Sequence, residues 1–299
     1  MSNTSTKYMG RFAPSPTGPL HFGSLVAAVA SYLDARAHGG SWRVRIEDID
    51  TTRCQPKFAD EILDTLSAFG LHWDGEVLYQ SRRTIRYRAA LDQLAANNHT
   101  YACACSRREI GDSALAGIDG PVYPGTCRAK GLAANGNAVR VRTTLAEILF
   151  VDRVQGECRQ VPGTDIGDFV LKRRDGLFAY QLAVVVDDAD QGVNVVVRGA
   201  DLLDSTPRQI YLQQLLGLPT PEYLHLPVVI NAAGQKLSKQ TLAAAIGPVD
   251  ACRLLRDALA FLGQPPLGAK HAAPSDLLAV AVRTWAAAAI PKRRISHIT

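Results

Sequence analysis

An α/β fold built on a parallel sheet is predicted by three features of the sequence. Residues 7–12 read as a strand, and residues 11–24 (Arg-Phe-Ala-Pro-Ser-Pro-Thr-Gly-Pro-Leu-His-Phe-Gly-Ser) as a tight loop feeding a helix. Residues 42–46 form a second strand, with Trp42, Val44 and Ile46 alternating against Arg43 and Arg45, and it runs into the acidic stretch Glu47-Asp48-Ile49-Asp50. Residues 180–186 and 193–197 are apolar runs suited to buried parallel strands, the first opened by Tyr180 and closed by Asp187-Asp188, the second delivering Arg198.

Composition sets the bounds on these elements. The chain has 299 residues, 47% of them hydrophobic, enough for one large domain or two smaller ones with cores of their own. A net charge of +5 permits a polyanionic partner, and basic clusters recur at Arg82-Arg83, Arg86 and Arg88, at Lys172-Arg173-Arg174 and at Lys292-Arg293-Arg294. No apolar run reaches membrane-spanning length and residues 1–7 are too polar for a signal peptide, so a cytoplasmic protein without membrane contact is expected. Six unevenly spaced cysteines do not read as a disulfide framework.

The elements follow in order. Leu25, Val29, Tyr32, Leu33 and Arg36 stand at helical spacing after the first loop, and Gly39-Gly40 ends that helix. A helix N-terminus after a loop suits anion binding, because free N–H groups and the positive dipole end point outward, and His21 stands where an imidazole could reach a phosphate. Residues 59–69 are helical by pattern, with Gly70 as the stop. Residues 80–83 begin a further helix whose buried face is expected to hold Ile85, Ala89, Leu91 and Leu94, ending near Asn97-Asn98. Residues 101–128 then change character. Cys103 and Cys105 point to one side of an extended segment, and Tyr123 and Cys127 follow in a Pro/Gly-rich stretch. Two adjacent thiolates and a third at a distance suit tetrahedral zinc with the fourth ligand open, His99 being one candidate on generic chemistry. Cys54, Cys158 and Cys252 read as ordinary thiols.

Residues 139–141 and 157–161 read as strands of an insert, and residues 165–172 as the return to the main fold. At residues 204–209 a helix starts, with Thr206 and Gln209 at capping-box spacing and Pro207 at the first helical position; it ends at Gly217. Residues 226–231 are a short strand leading to Lys236-Leu237-Ser238-Lys239-Gln240, where two lysines flanking a serine can wrap a triphosphate on a loop. Residues 251–262 and 275–289 are helical by pattern. Neither Gly-x4-Gly-Lys nor Gly-x-Gly-x2-Gly is present, which argues against P-loop and dinucleotide enzymes.

Taken together, His21-Phe22-Gly23-Ser24 and Lys236-Leu237-Ser238-Lys239 resemble the paired HIGH and KMSKS signatures of class I aminoacyl-tRNA synthetases, in the glutamate/glutamine subgroup. Arg45-Ile46-Glu47-Asp48, Arg198-Gly199-Ala200-Asp201 and Thr206-Pro207-Arg208-Gln209 extend the likeness, which covers roughly residues 8 to 245. Phe22, Ser24 and Gln240 depart from the commonest wording. The tail after Gln240 is too short for a large anticodon-binding region, and Cys-x-Cys…Tyr-x3-Cys is similar to the zinc site of the short glutamyl-queuosine branch.

The resemblance implies a Rossmann-like class I catalytic domain formed by residues 1–98 and 166–245, split by a zinc-bearing insert at 99–165 and followed by a short helical tail at 246–299. It implies activation of L-glutamate by ATP with magnesium, and transfer of glutamate to the queuosine base at the wobble position of tRNA(Asp); a monomer is expected. His21, Gly23 and Lys239 correspond to the catalytic set, joined at ATP by Ser24, Lys236 and Ser238. Arg11, Ser15, Glu47, Tyr180 and Arg198 correspond to the glutamate pocket, with Glu47 on the α-ammonium and the arginines shared between two carboxylates in an order left open. Cys103, Cys105, Tyr123 and Cys127 correspond to the ligands of one structural zinc. Two other readings stand beside this one: a truncated glutamyl-tRNA synthetase charging a tRNA 3′ end, and a non-catalytic synthetase-like module that binds RNA or zinc.

Overall fold

The computed structural model describes residues 7–113, 116–118, 120–230, 245–267 and 273–297. In chain order the first half runs β1 (Met9–Phe12), α1 (Phe22–Ala37), β2 (Ser41–Ile46), α2 (Pro56–Ala68), β3 (Leu78–Tyr79) and α3 (Thr84–Ala96). Next come β4 (Thr100–Cys103), α4 (Arg107–Ser113), β5 (Ala116–Gly117), β6 (Gly120–Pro121), β7 (Ala138–Val141), β8 (Ile148–Asp152), β9 (Gly156–Gln160), α5 (Pro162–Asp165) and β10 (Val170–Lys172). The second half holds α6 (Tyr180–Asp190), β11 (Val195–Gly199), α7 (Thr206–Leu216), β12 (Glu222–Leu226), β13 (Val228–Ile230), α8 (Ala251–Phe261), α9 (Pro274–Thr284) and β14 (Ile295–His297).

Strands β1, β2 and β3 pair in parallel, and so do β11 and β12. The two groups meet where β1 lies against β11: Met9 N donates to Asn194 Oδ1 at 2.8 Å and Asn194 N to Met9 O at 3.1 Å. In an open parallel sheet the carboxyl ends of two such neighbouring strands form the natural crevice for ligands. Helix α1 crosses this junction with Leu25, Val29 and Leu33 buried against Trp42, Val44, Val195 and Val197. The Gly39-Gly40 turn fits its place: Gly39 has φ +63°, and a Cβ on Gly40 would stand 2.5 Å from Tyr8 O. A separate antiparallel sheet, β10-β7-β4, carries the cysteine segment, so residues 170–172 pair with β7 rather than with the parallel sheet. The hairpin β8–β9 joins the edge of β12, where Tyr223 pairs with Asp152. At the C-terminal end, β14 pairs in parallel with β13.

The structure corrects several expectations. Residues 180–186 are not a strand but the start of α6, buried from Leu182 to Asp188. A continuous apolar run marks a fully buried helix as well as a buried strand, and period alone does not separate them. The acidic pair decides it here. On a helix Asp187 and Asp188 lie about 100° apart, so Asp187 meets Arg83 while Asp188 meets Arg11 and Arg45, and both stay buried. Gln80–Arg82 is a separate 3₁₀ turn before α3, and within α3 Ile85 is 82% exposed and Ala89 also faces solvent. The buried stripe is instead Tyr87, Leu91 and Leu94, because the Tyr87 hydroxyl donates to Asp187 at 2.8 Å. The capping box of α7 does not form: Ser205 is the N-cap but its hydroxyl accepts from Gln181 instead of capping the helix, Thr206 Oγ1 meets Arg198 and His225, and Gln209 donates to Gln181. Pro227 divides the strand expected over residues 226–231 into β12 and β13. Helix α9 stops at Thr284, after which the Trp285 indole turns to donate to Asp34 at 2.9 Å.

Candidate active site and cysteine cluster

A cleft of about 670 Å³ opens at the carboxyl ends of β1 and β11. Its lining includes Arg11, Ser15, His21, Gly23, Ser24, Glu47, Tyr180 and Arg198, so the described residues of the expected ATP and glutamate sites lie in one space. Lys236, Ser238 and Lys239 lie outside the described residues, as does Gln240. The described residues on either side of them reach the cleft: Val228 and Val229 line it, and Ala245 bridges antiparallel to His21, with Ile246 N donating to Leu20 O at 3.0 Å.

His21 is the N-cap of α1. Its Nδ1 accepts from Ser24 N at 3.3 Å and its Nε2 lies 3.1 Å from Ser24 Oγ, which holds the imidazole over the first helical turn. The opposite side of the cleft is ionic. Arg11 Nε donates to Asp188 Oδ1 at 3.1 Å and Arg45 Nη1 to the same oxygen at 2.7 Å. Burial works against the Asp188 charge, but the two arginines outweigh it and hold the carboxyl below its ordinary range. Glu47, 3.4 Å from Arg45 Nη2, shows the opposite balance: burial raises its carboxyl above the ordinary range despite Arg45 and Arg11. Arg198 Nη1 donates to the Tyr180 hydroxyl at 3.4 Å, and burial raises the Tyr180 phenol.

Sequence reasoning missed Arg45, Asp188, Asp152 and His225 around this cleft. Asp188 had a legible signal, an acidic doublet closing an apolar run. Arg45 alternates with core residues on β2 and reads as surface, yet it is fully buried. Asp152 and His225 carry no local signal.

The cysteine cluster is compact. The sulfurs of Cys103, Cys105 and Cys127 all lie within 4.8 Å of one another, with Cys105 and Cys127 3.5 Å apart. The Tyr123 hydroxyl stands 3.3 Å from Cys103 Sγ and 3.6 Å from Cys105 Sγ, and accepts from Cys127 N at 2.9 Å. Among the described residues His99 does not join this group. Burial opposes ionisation of Cys127, but hydrogen bonds from Tyr123, the Ala104 amide and the other two thiols outweigh it and bring the thiol down to about 7. Three converging soft sulfur donors with one oxygen beside them fit a zinc-type ion. No helix among the described residues is long and apolar enough to cross a membrane.

Comparison with known proteins identifies the family. The model for tRNA synthetases class I (E and Q), catalytic domain, matches residues 7–263. The chain is 57% identical over 296 residues to a Glutamyl-Q tRNA(Asp) synthetase of Dechloromonas aromatica (strain RCB), spanning 97% of this chain and 98% of the relative. It is 57% identical over 286 residues to a protein of that name from Chromobacterium violaceum, spanning 95% of each. In fold it is similar to the crystal structure of a glutamate tRNA ligase from Elizabethkingia meningosepticum CCUG26117 in complex with its amino acid. There the TM-score is 0.80 at 24% identity, over 98% of this chain and 67% of that one. The chain therefore belongs to the class I tRNA synthetases of the glutamate and glutamine group, and within them to the glutamyl-Q tRNA(Asp) synthetases.

Proposed function

We propose that this protein activates L-glutamate with ATP and magnesium to glutamyl-adenylate and transfers glutamate to the queuosine base of tRNA(Asp). The observation that carries the reading is charge matching in the cleft. Glutamate brings two carboxylates and one ammonium; Arg11, Arg198 and Glu47 offer two guanidiniums and one carboxylate around the same space. The N-terminal turn of α1, with His21, Gly23 and Ser24, lines that space too and suits the phosphates of ATP.

In this reading the glutamate α-carboxylate attacks the α-phosphorus and pyrophosphate leaves. The substrate supplies the nucleophile, so the protein's part is positioning and charge stabilisation. His21 and Gly23 hold the phosphates, and Lys236, Ser238 and Lys239 complete the ATP site, Lys239 stabilising the charge that builds up. Glu47 takes the α-ammonium; Arg11, Tyr180 and Arg198 take the carboxylates, with Ser15 at the rim. A bidentate arginine on the side-chain carboxylate rejects glutamine, which leaves that charge unmatched. Zinc, held by Cys103, Cys105 and Cys127 with Tyr123, cross-links the insert and takes no part in the chemistry. A cytoplasmic, monomeric protein completes the reading.

The test is transfer of labelled glutamate to tRNA(Asp) with and without queuosine, using purified protein, ATP and magnesium. Transfer confined to the queuosine-bearing tRNA, with the terminal ribose cis-diol of the charged tRNA still open to periodate, is the expected result. Charging of unmodified tRNA(Glu) would replace the reading with that of a truncated 3′-end synthetase.

A further inference from the structure

Arg198 is held differently from every other cleft cation described above. Its Nε donates to His225 Nε2 at 3.0 Å and its Nη2 to Thr206 Oγ1 at 2.9 Å, which leaves Nη1 toward Tyr180 and the cleft. Neither of these partners carries a negative charge. His225 in turn faces a carboxylate: its Nδ1 lies 2.6 Å from Asp152 Oδ2, and both side chains are fully buried. Asp152 is itself fixed, since Oδ1 accepts from Val154 N at 2.9 Å and from Gln155 N at 2.8 Å.

Sheet register builds this chain. Arg198 on β11 stands directly across from His225 on β12, and β12 pairs with β8 at Tyr223 and Asp152. Three adjacent strands thus set guanidinium, imidazole and carboxylate in a row. Only one tautomer fits the row: with the proton on Nδ1 bonded to Asp152, Nε2 is a lone-pair acceptor for Arg198. Burial foremost, together with the charge of Arg198, pushes the imidazole down to about 4 against the pull of Asp152, so it stays neutral at physiological pH.

We propose that His225, locked in its Nδ1–H tautomer by Asp152, is the positioning residue that aims Arg198 into the cleft and leaves its charge unneutralised for a substrate carboxylate. Arg11 serves as the contrast, since it shares its charge with Asp188. The proposal deepens the glutamate reading and rests on it. It predicts that glutamate affinity depends on an acceptor at Nε2 and not on a histidine as such.

The experiment compares wild type, His225→Leu, His225→Gln, Asp152→Asn and the Asp152→Asn/His225→Gln pair. Readouts are glutamate-dependent ATP–pyrophosphate exchange, thermal unfolding, and 15N spectra of histidine-labelled protein. Asp152→Asn keeps the shape and the Oδ1 contacts, but puts an N–H donor where Oδ2 was, so the imidazole proton must move to Nε2 and confront Arg198 Nε–H. The expected result is a proton on Nδ1 in wild type and on Nε2 in Asp152→Asn. KM for glutamate rises about tenfold or more in Asp152→Asn and His225→Leu, while KM for ATP stays within about twofold. His225→Gln, whose amide oxygen accepts in either case, stays within about threefold of wild type, and adding Asp152→Asn to it changes little. A wild-type proton on Nε2, an unchanged KM in Asp152→Asn, or parallel rises for glutamate and ATP together with lost thermal stability would overturn the proposal. Should His225→Leu fail to fold, the shape-preserving Asp152→Asn carries the test. Absence of glutamate-dependent exchange in wild type would instead sink the glutamate reading, and the 15N spectra would still decide whether the tautomer is locked.

Discussion

The cleft and the cysteine cluster are both polar sites, but they are assembled over very different distances. Arg11 and Asp188 stand 177 positions apart and Arg45 and Asp188 stand 143 apart, so the cleft exists only after both halves of the parallel sheet have met. Cys103 and Tyr123 are 20 positions apart and Cys105 and Cys127 are 22 apart, within a segment tied to the small antiparallel sheet. The cleft is held by buried ion pairs. The cluster is held by thiols, one phenol and the adjoining network in which Arg128 and Thr143 bind Asp168. Damage to the cleft should therefore reach both activity and global stability, whereas damage to the cluster should stay within the insert.

The largest effect expected is on activity. Arg11→Ala should lower glutamate-dependent ATP–pyrophosphate exchange by about 100- to 1,000-fold, the cost of removing one partner of a desolvated charge pair. Near-normal exchange would remove Arg11 from the glutamate pocket. Asp188→Asn tests whether the cleft carboxylate is structural as well. Two buried arginines lose their shared countercharge, so urea unfolding should show a loss of about 3–5 kcal/mol at pH 7 along with weakened exchange. An unchanged unfolding midpoint would break the link between cleft and global stability.

A smaller effect follows from pH. The Asp188 carboxyl is held below its ordinary range in the folded state. Its share of stability is therefore complete above the unfolded value of about 3.9 and is lost as pH falls through the folded value. The stability gap between wild type and Asp188→Asn should accordingly narrow from pH 7 toward pH 3. A gap that widens over that range would mean that the carboxyl is raised rather than lowered. The smallest effect on chemistry is expected from the cluster. Cys127→Ser should cut zinc from about one equivalent to a small fraction by metal analysis and speed amide exchange in β4 and β7. Glutamate-dependent exchange should fall by no more than about threefold; collapse of that exchange would join the two sites into one cooperative unit.

By itself the sequence determined the features set by short-range rules. The loop and helix N-terminus bearing His21, the strand ending before Glu47, the strand delivering Arg198, the αL stop at Gly217 and the same-side placement of Cys103 and Cys105 all depend on neighbours within a few residues. The tertiary structure decided whether residues 180–186 were strand or helix, because both leave the same apolar signature when buried on all sides. It also turned Arg45 inward to Asp188, diverted Thr206 from its cap to Arg198, and set Asp152, His225 and Arg198 in one row. A charge is buried only where a partner from elsewhere in the chain neutralises it or hydrogen-bonds to it. Which partner arrives is a property of sheet register and helix placement, and no local pattern encodes it.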